Sequence, residues 1–154
     1  MKKLILPLFL AIILFSFVPN KTQSDYHLFP IGTKFTIQLI DNKDGSYDIK
    51  VLKEEQIKYK VDYSKTDSIF SSNPKPGTIE GIFAKGIDQK GAFKSVLIIR
   101  NNTKIALGYG ADISFNKNGK FYSTSVSMLF PGVISSELWR DKLKGIILHD
   151  FIKK

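Results

Sequence analysis

The sequence predicts an all-β protein, an antiparallel β-sandwich of about eight strands that follows an N-terminal signal helix. Apolar and polar residues alternate in several short runs, which is the period of a half-buried strand. Turn pairs such as Asp44-Gly45 and Asn118-Gly119 separate these runs. No long helical period follows the signal segment. Such spacing is typical of a sandwich or a barrel.

Residues 1–24 have the organisation of a secretory signal peptide. Lys2 and Lys3 precede an apolar run, Leu4–Val18, and small residues lead up to an expected cleavage site after Ser24. The alternative is an uncleaved membrane anchor. The run of about 15 residues is shorter than the roughly 20 that a spanning helix needs. We therefore expect a secreted or periplasmic protein with no stable membrane span after cleavage.

Residues 25–154 are predicted to form a single domain without internal repeats. The chain contains no cysteine, so its fold rests on the apolar core without disulfides. Removing the three lysines of the signal leaves 20 basic and 14 acidic residues, a net charge of +6. Nucleic-acid binding requires a clustered basic patch. The lysines are scattered along the sequence, so we expect a solvated face, no nucleic-acid partner and weak attraction to anionic glycans or lipid head groups.

The first part of the domain is predicted to form three strands. Residues 34–39 and 47–51 alternate in polarity on either side of the Asp44-Gly45 turn, which indicates a hairpin. A third strand is predicted over 57–63, where lysines on the outer face discourage edge-to-edge pairing. Residues 64–78 are rich in Ser, Asn, Pro and Gly, and they predict a long connection without regular structure.

The centre of the chain predicts a hairpin. Val96–Ile99 is apolar on both faces, which is typical of a strand covered on both sides. Ile105–Phe115 alternates between an apolar face and a face with small residues, and the Asn-rich segment 100–104 suits a tight turn between the two strands. Gly108 and Gly110 leave a shallow gap on that second face. We expect a neighbouring side chain to fill the gap, and the alternative is a ligand platform.

Further strands are predicted on both sides of this hairpin. Residues 79–87 form a strand that reaches a turn at Asp88–Gly91, and residues 121–128 form the strand that follows the hairpin. Ser135–Leu143 is predicted to contain one helical turn capped by a serine. Residues 145–152 read as the closing strand.

The run Val96–Ser136 resembles the second half of small extracytoplasmic immunoglobulin-like modules of bacteria. The residues that carry this resemblance are Asn101-Asn102-Thr103, Tyr109, Asn118-Gly119 and Pro131-Gly132. Antibody-type domains pair two cysteines around a buried tryptophan. This chain has no cysteine and its one tryptophan is Trp139. The resemblance therefore implies an immunoglobulin-like sandwich and transfers no functional residue.

Catalytic and metal-binding motifs are not apparent, so we expect neither a catalytic site nor a metal or other cofactor. A Ser-His-acid site would need His27 or His149. His27 lies close to the mature N-terminus. His149 is followed by Asp150, and adjacent strand residues point to opposite faces, so Asp150 is not expected to orient it. The acids of segment 41–48 predict a hairpin turn, because their spacing does not fit an EF-hand calcium loop.

The segment Met128–Arg140 is the candidate binding surface. It places Phe130 and Trp139 beside Arg140 on a predicted irregular connection, and Trp and Arg are frequent in binding hot spots. The alternative is that the two aromatic side chains complete the core.

The sequence is best explained as a non-catalytic binding or interaction module with a protein or glycan partner. Two alternatives remain at this stage. One is a small β-barrel carrier of an apolar ligand. The other is a hydrolase whose paired acids the sequence does not identify.

Overall fold

The computed structural model describes residues 26–87, 93–116 and 119–154. The predicted signal peptide, the turn at Asp88–Gly91 and Asn118 of the later turn lie outside the described residues. Ten strands are present in the described ranges: β1 Leu28–Pro30, β2 Thr33–Asp41, β3 Ser46–Gln56, β4 Val61–Asp62, β5 Thr78–Ile87, β6 Phe93–Asn101, β7 Leu107–Ser114, β8 Phe121–Thr124, β9 Ile134–Trp139 and β10 Gly145–Lys153. In this part of the chain, no helix is long and apolar enough to cross a membrane.

All ten strands belong to one sheet, in the order β8-β7-β10-β3-β2-β5-β6-β9. The short strand β1 pairs with β10, and β4 pairs with β5. Every pairing is antiparallel except that of β4 with β5, which is parallel. The all-β antiparallel prediction is confirmed. The two-sheet packing of an immunoglobulin-like sandwich is not confirmed, because the strands form one sheet that curls into a half-barrel.

The inside of the curl is filled by one apolar cluster. Its buried side chains come from strands that are far apart in the sheet order, including β2, β6 and β10, so the two halves of the curl pack against each other across it. Phe29 and Phe35 stack at its centre with ring centroids 4.1 Å apart. The fully buried members also include Ile37, Phe83, Leu97, Ile99, Leu107, Leu148 and Phe151.

Strand β6 is buried on both faces, as its sequence predicts. Leu97 and Ile99 point into the curl. Val96 and Ile98 point outward into a second cluster, which Val61 and Phe70 complete. The connection 64–78, which has no regular structure beyond a short 3-10 turn at Thr66–Ser68, therefore covers the outer face of the sheet through Phe70.

The predicted hairpin between β6 and β7 is wrong. Strand β6 pairs with β5 and β9, whereas β7 pairs with β10 and β8. The predicted turn at Asn101 nevertheless forms, because the Asn101 side chain accepts hydrogen bonds from the backbone amide and the hydroxyl of Thr103. The amide of Asn101 also donates to the carbonyls of Ile105 and Leu129. These bonds direct the chain across the curl to β7.

Three local predictions are corrected by the structure. The predicted third strand is limited to the two residues of β4. The chain leaves the sheet after Gln56, where the amide of Ile57 donates to the Gly32 carbonyl at 2.6 Å. The helical turn predicted over Ser135–Leu143 is absent, and β9 takes its place. Pairing with β6 and partial burial of alternate side chains outweigh a local capping signal. The strand predicted over 121–128 ends at Thr124.

A charged pair fastens the connection 64–78 to the sheet. Glu80 and Arg100 lie opposite each other on β5 and β6, and each side chain is 13 % exposed. The guanidinium donates through Nε to Glu80 Oε2 at 3.1 Å and through Nη2 to the Ser71 carbonyl at 2.9 Å. It also lies over the Phe70 ring, 5.0 Å from the centroid.

We predict that Arg100→Met destabilises the protein by about 3 kcal/mol, because it leaves the Glu80 carboxylate largely buried without a cation. The double variant Glu80→Gln/Arg100→Met should lose clearly less, since it removes both charges. Urea unfolding followed by the fluorescence of the single tryptophan measures the free energies. Equal losses in the single and double variants would contradict this account.

Candidate functional site

The structure does not bring the three sequence-predicted binding residues together. Phe130 precedes β9 and is 52 % exposed, whereas Trp139 and Arg140 lie at the other end of that strand. Six strand residues at about 3.3 Å each separate the two positions by roughly 20 Å. Phe130 and Arg140 are therefore exposed at opposite ends of the sheet.

Trp139 packs against the core, which is the alternative role that the sequence offered for this side chain. Its ring meets Phe83 edge-on at a centroid distance of 6.4 Å. The indole Nε1 donates to Thr124 Oγ1 at 3.1 Å, and Glu137 accepts from the Ser127 amide at 2.6 Å. These bonds join the β9 edge of the sheet to β8 and to the segment that follows it, so the two sheet edges are close.

The expectation that Asp150 does not orient His149 is wrong. Strand β10 contains an irregularity after His149, and Asp150 adopts a positive φ of 49°. The bend places Asp150 Oδ2 at 2.8 Å from His149 Nδ1. A strict alternation of side chains does not hold through a bulge, which is why the sequence pattern failed at this point.

The surroundings of His149 do not form a nucleophile–base–acid relay. His149 Nε2 lies 3.4 Å from Asp112 Oδ1 without the alignment of a hydrogen bond, and it has no hydrogen-bond partner among the described residues. Ser123 donates to Asp112 at 2.7 Å. The carboxylate therefore stands between the hydroxyl and the imidazole, whereas a serine nucleophile requires the imidazole as its neighbour.

The remaining sequence candidates are structural. The imidazole of His149 lies over Gly110, where an added Cβ would come within 2.5 Å of the ring, and Lys154 covers Gly108. The gap on β7 is thus filled by neighbours, as expected. Asp44 accepts from the Ser46 amide at 2.8 Å within the β2–β3 turn. No group of three potential metal ligands occurs within residues 26–87, 93–116 and 119–154.

One cleft on the described part of the surface is lined mainly by basic residues. It has a volume of about 430 Å³, and we call it the basic cleft. Ile31, Ser95 and Leu143 form its floor, and its other lining residues are Lys60, Lys85, Lys142 and Lys144. All four lysines are exposed. Among the described residues, no carboxylate forms an ion pair with Lys85, Lys142 or Lys144.

The backbone around the basic cleft is held in place. Ser95 Oγ donates to the Asp141 carbonyl at 2.8 Å and accepts from the Leu143 amide at 2.9 Å. Leu143 is buried, so the flanking Lys142 and Lys144 project to solvent from an extended segment. The cleft thus combines a floor that is held in place with exposed cationic side chains at its rim.

Sequence reasoning missed the basic cleft because its lysines are distant in the chain. Lys60 precedes β4, Lys85 lies on β5, and Lys142 and Lys144 precede β10. These four lysines are exposed, as expected for a solvated face, and the fold brings them to one cleft. The one local signal was the pair of lysines on either side of an apolar residue at 142–144, which is common on any surface strand.

Tyr109 carries a second unusual polar group. Its hydroxyl is buried and has no hydrogen-bond partner within the described ranges, while its ring stacks on Phe151 at 5.5 Å. Burial raises the pKa of Tyr109 well above its ordinary value, and the negative charge of Glu137 adds to this effect. The phenol therefore stays protonated in the folded protein at a pH where it ionises in the unfolded chain.

We predict that Tyr109→Phe is neutral or stabilises the protein by about 1 kcal/mol at pH 7, because it removes an unpaired buried hydroxyl. Since the folded pKa is raised, the stability that Tyr109 contributes is complete below its unfolded pKa near 10.0 and falls as the pH rises above it. Urea unfolding at pH 8 and pH 11 should show a smaller alkaline loss for the variant. An identical loss in both proteins would contradict the assignment.

Comparison of the chain with protein-family models, with curated proteins and with solved structures finds no match in any of the three.

Proposed function

We propose that the protein is a secreted or periplasmic, non-catalytic binding module whose ligand carries concentrated negative charge and occupies the basic cleft. The observation that supports this proposal is that four lysines line one cleft with a largely apolar floor. The sequence suggested a protein or glycan partner. The four lysines of the cleft support an anionic ligand.

Charge favours an anionic ligand at this site. Lysines that share a cleft repel one another, and an anion bound between them removes that repulsion. The lining residues include no acid. Asp141 is close in sequence, but its contact with the cleft floor is made by its backbone carbonyl. Such attraction is screened by salt, so affinity should fall with ionic strength.

The size of the basic cleft and the packing of the curl favour a surface site over an interior one. A volume of about 430 Å³ is within the range of small-molecule sites. The inside of the curl is filled by buried side chains, so the structure offers the carrier alternative little support. The structure gives the hydrolase alternative equally little support, because Ser123 contacts the carboxylate of Asp112 and not His149.

Export is the part of the proposal that rests on sequence alone. The charged start, the apolar run and the small residues before Ser24 support a signal peptide. An extracytoplasmic module of this kind would meet anionic ligands at the cell envelope.

Titration with tripolyphosphate, a compact polyanion, tests the basic cleft. We predict that Lys142→Gln/Lys144→Gln weakens tripolyphosphate binding by about 30-fold in isothermal titration calorimetry at low salt, because two cations worth roughly 1 kcal/mol each are lost. Both side chains are exposed, so the fold should be retained.

The matched control is Lys50→Gln/Lys104→Gln, which removes the same charge from exposed lysines that do not line the cleft. This variant should bind nearly as tightly as the parent protein. Equal weakening in both variants would show that only net charge matters, and it would overturn the assignment of the site.

A further inference from the structure

We infer that the end of the sheet that carries the basic cleft docks on the surface of an anionic lipid bilayer. This inference rests on the proposed function, since it names the ligand of the same cleft. Its grounds are the continuity of the basic cleft with an exposed apolar surface and the position of both at one open end of the curl.

The basic cleft lies at the mouth of the curl. Lys85 and Ser95 are register partners on the inner face, two residues along their strands from Phe83 and Leu97. Ser95 also pairs with Trp139, so Arg140 follows at the same end. Arg140 is exposed and adds a fifth cation to this end of the sheet.

A second cleft of about 350 Å³ adjoins the first, and Lys144 lines both. Its apolar lining residues include Leu28, Pro30 and Phe121. Hydrogen bonds connect the two clefts, because the Lys144 amide donates to the Ser114 carbonyl at 2.7 Å and its carbonyl accepts from the Ile31 amide at 2.9 Å. The two clefts therefore form one continuous surface.

Large apolar side chains are exposed on this surface. Phe115 and Tyr122 meet edge-on at 5.8 Å and are 39 % and 53 % exposed. Leu28 of the second cleft is 40 % exposed. Tyr122 is the register partner of Ile113, which belongs to the inner cluster, so Tyr122 and Phe115 point to the inner face, as Lys85 and Ser95 do. Aromatic rings next to lysines are typical of surfaces that sit at a membrane interface.

A bilayer explains both properties of this surface, whereas a compact soluble anion explains only one. Lysines are attracted to anionic head groups by roughly 1 kcal/mol each. Exposed aromatic rings gain free energy when they enter the boundary between head groups and acyl chains. A compact polyanion such as tripolyphosphate would use the cations and leave Phe115 and Tyr122 in water.

Vesicle sedimentation tests this inference with the mature protein. We expect binding to vesicles of phosphatidylcholine that contain phosphatidylglycerol and no binding to phosphatidylcholine alone. Lys142→Gln/Lys144→Gln should weaken vesicle binding by about 30-fold, and the control Lys50→Gln/Lys104→Gln by much less. Phe115→Ala/Tyr122→Ala should weaken it by about tenfold and leave tripolyphosphate affinity unchanged.

The outcomes separate the two proposals. Tripolyphosphate binding without vesicle binding would overturn membrane docking and leave the anionic ligand site standing. Vesicle binding that Phe115→Ala/Tyr122→Ala does not weaken would also overturn it, since charge alone would then suffice, as it would for a compact soluble anion. A parent protein that binds neither probe would refute both proposals. Circular dichroism of each variant confirms that the sheet is retained.

Discussion

The burial of strand β6 on both faces is the constraint on which the rest of the structure depends. Leu97 and Ile99 require a core inside the curl, and Val96 and Ile98 require a second one outside. A single sheet cannot cover its own outer face. The connection 64–78 therefore folds back over β5 and β6, although its composition is that of a surface loop. Phe70 supplies the apolar contact, and the pair of Glu80 with Arg100 fixes its position.

Because the sheet is curled, the residues at the ends of its strands differ in polarity and exposure from those in the middle. Inward-facing side chains of β2, β5, β6, β7 and β10 meet across the curl and are buried, whereas the last inward-facing residues of the strands form a rim. Lys85, Ser95 and Phe115 are such residues, which explains why polar, charged and aromatic groups share one end. A closed sandwich would cover part of this rim. The half-barrel leaves it open, so the charge and the exposed apolar surface are accessible together.

Local bends decide where the sequence pattern fails. At His149 the bulge in β10 turns the next residue, so that Asp150 contacts the imidazole that strict alternation would keep from it. At Asn101 the side chain forms the expected turn with Thr103 but also bonds to Leu129, which belongs to a distant part of the chain. In both places the local sequence pattern predicted the turn or strand correctly but gave no information about which residues it contacts.

The sequence by itself determined the all-β class, most strands, the turn chemistry and the double burial of β6, because these follow from alternation and from the φ preferences of single residues. Strand partners, the curl and the covering of the outer face were decided by tertiary packing. The same holds for the basic cleft. Lys60, Lys85 and Lys142 are neighbours only because the sheet brings three separate segments to one end, and no local pattern encodes that distance.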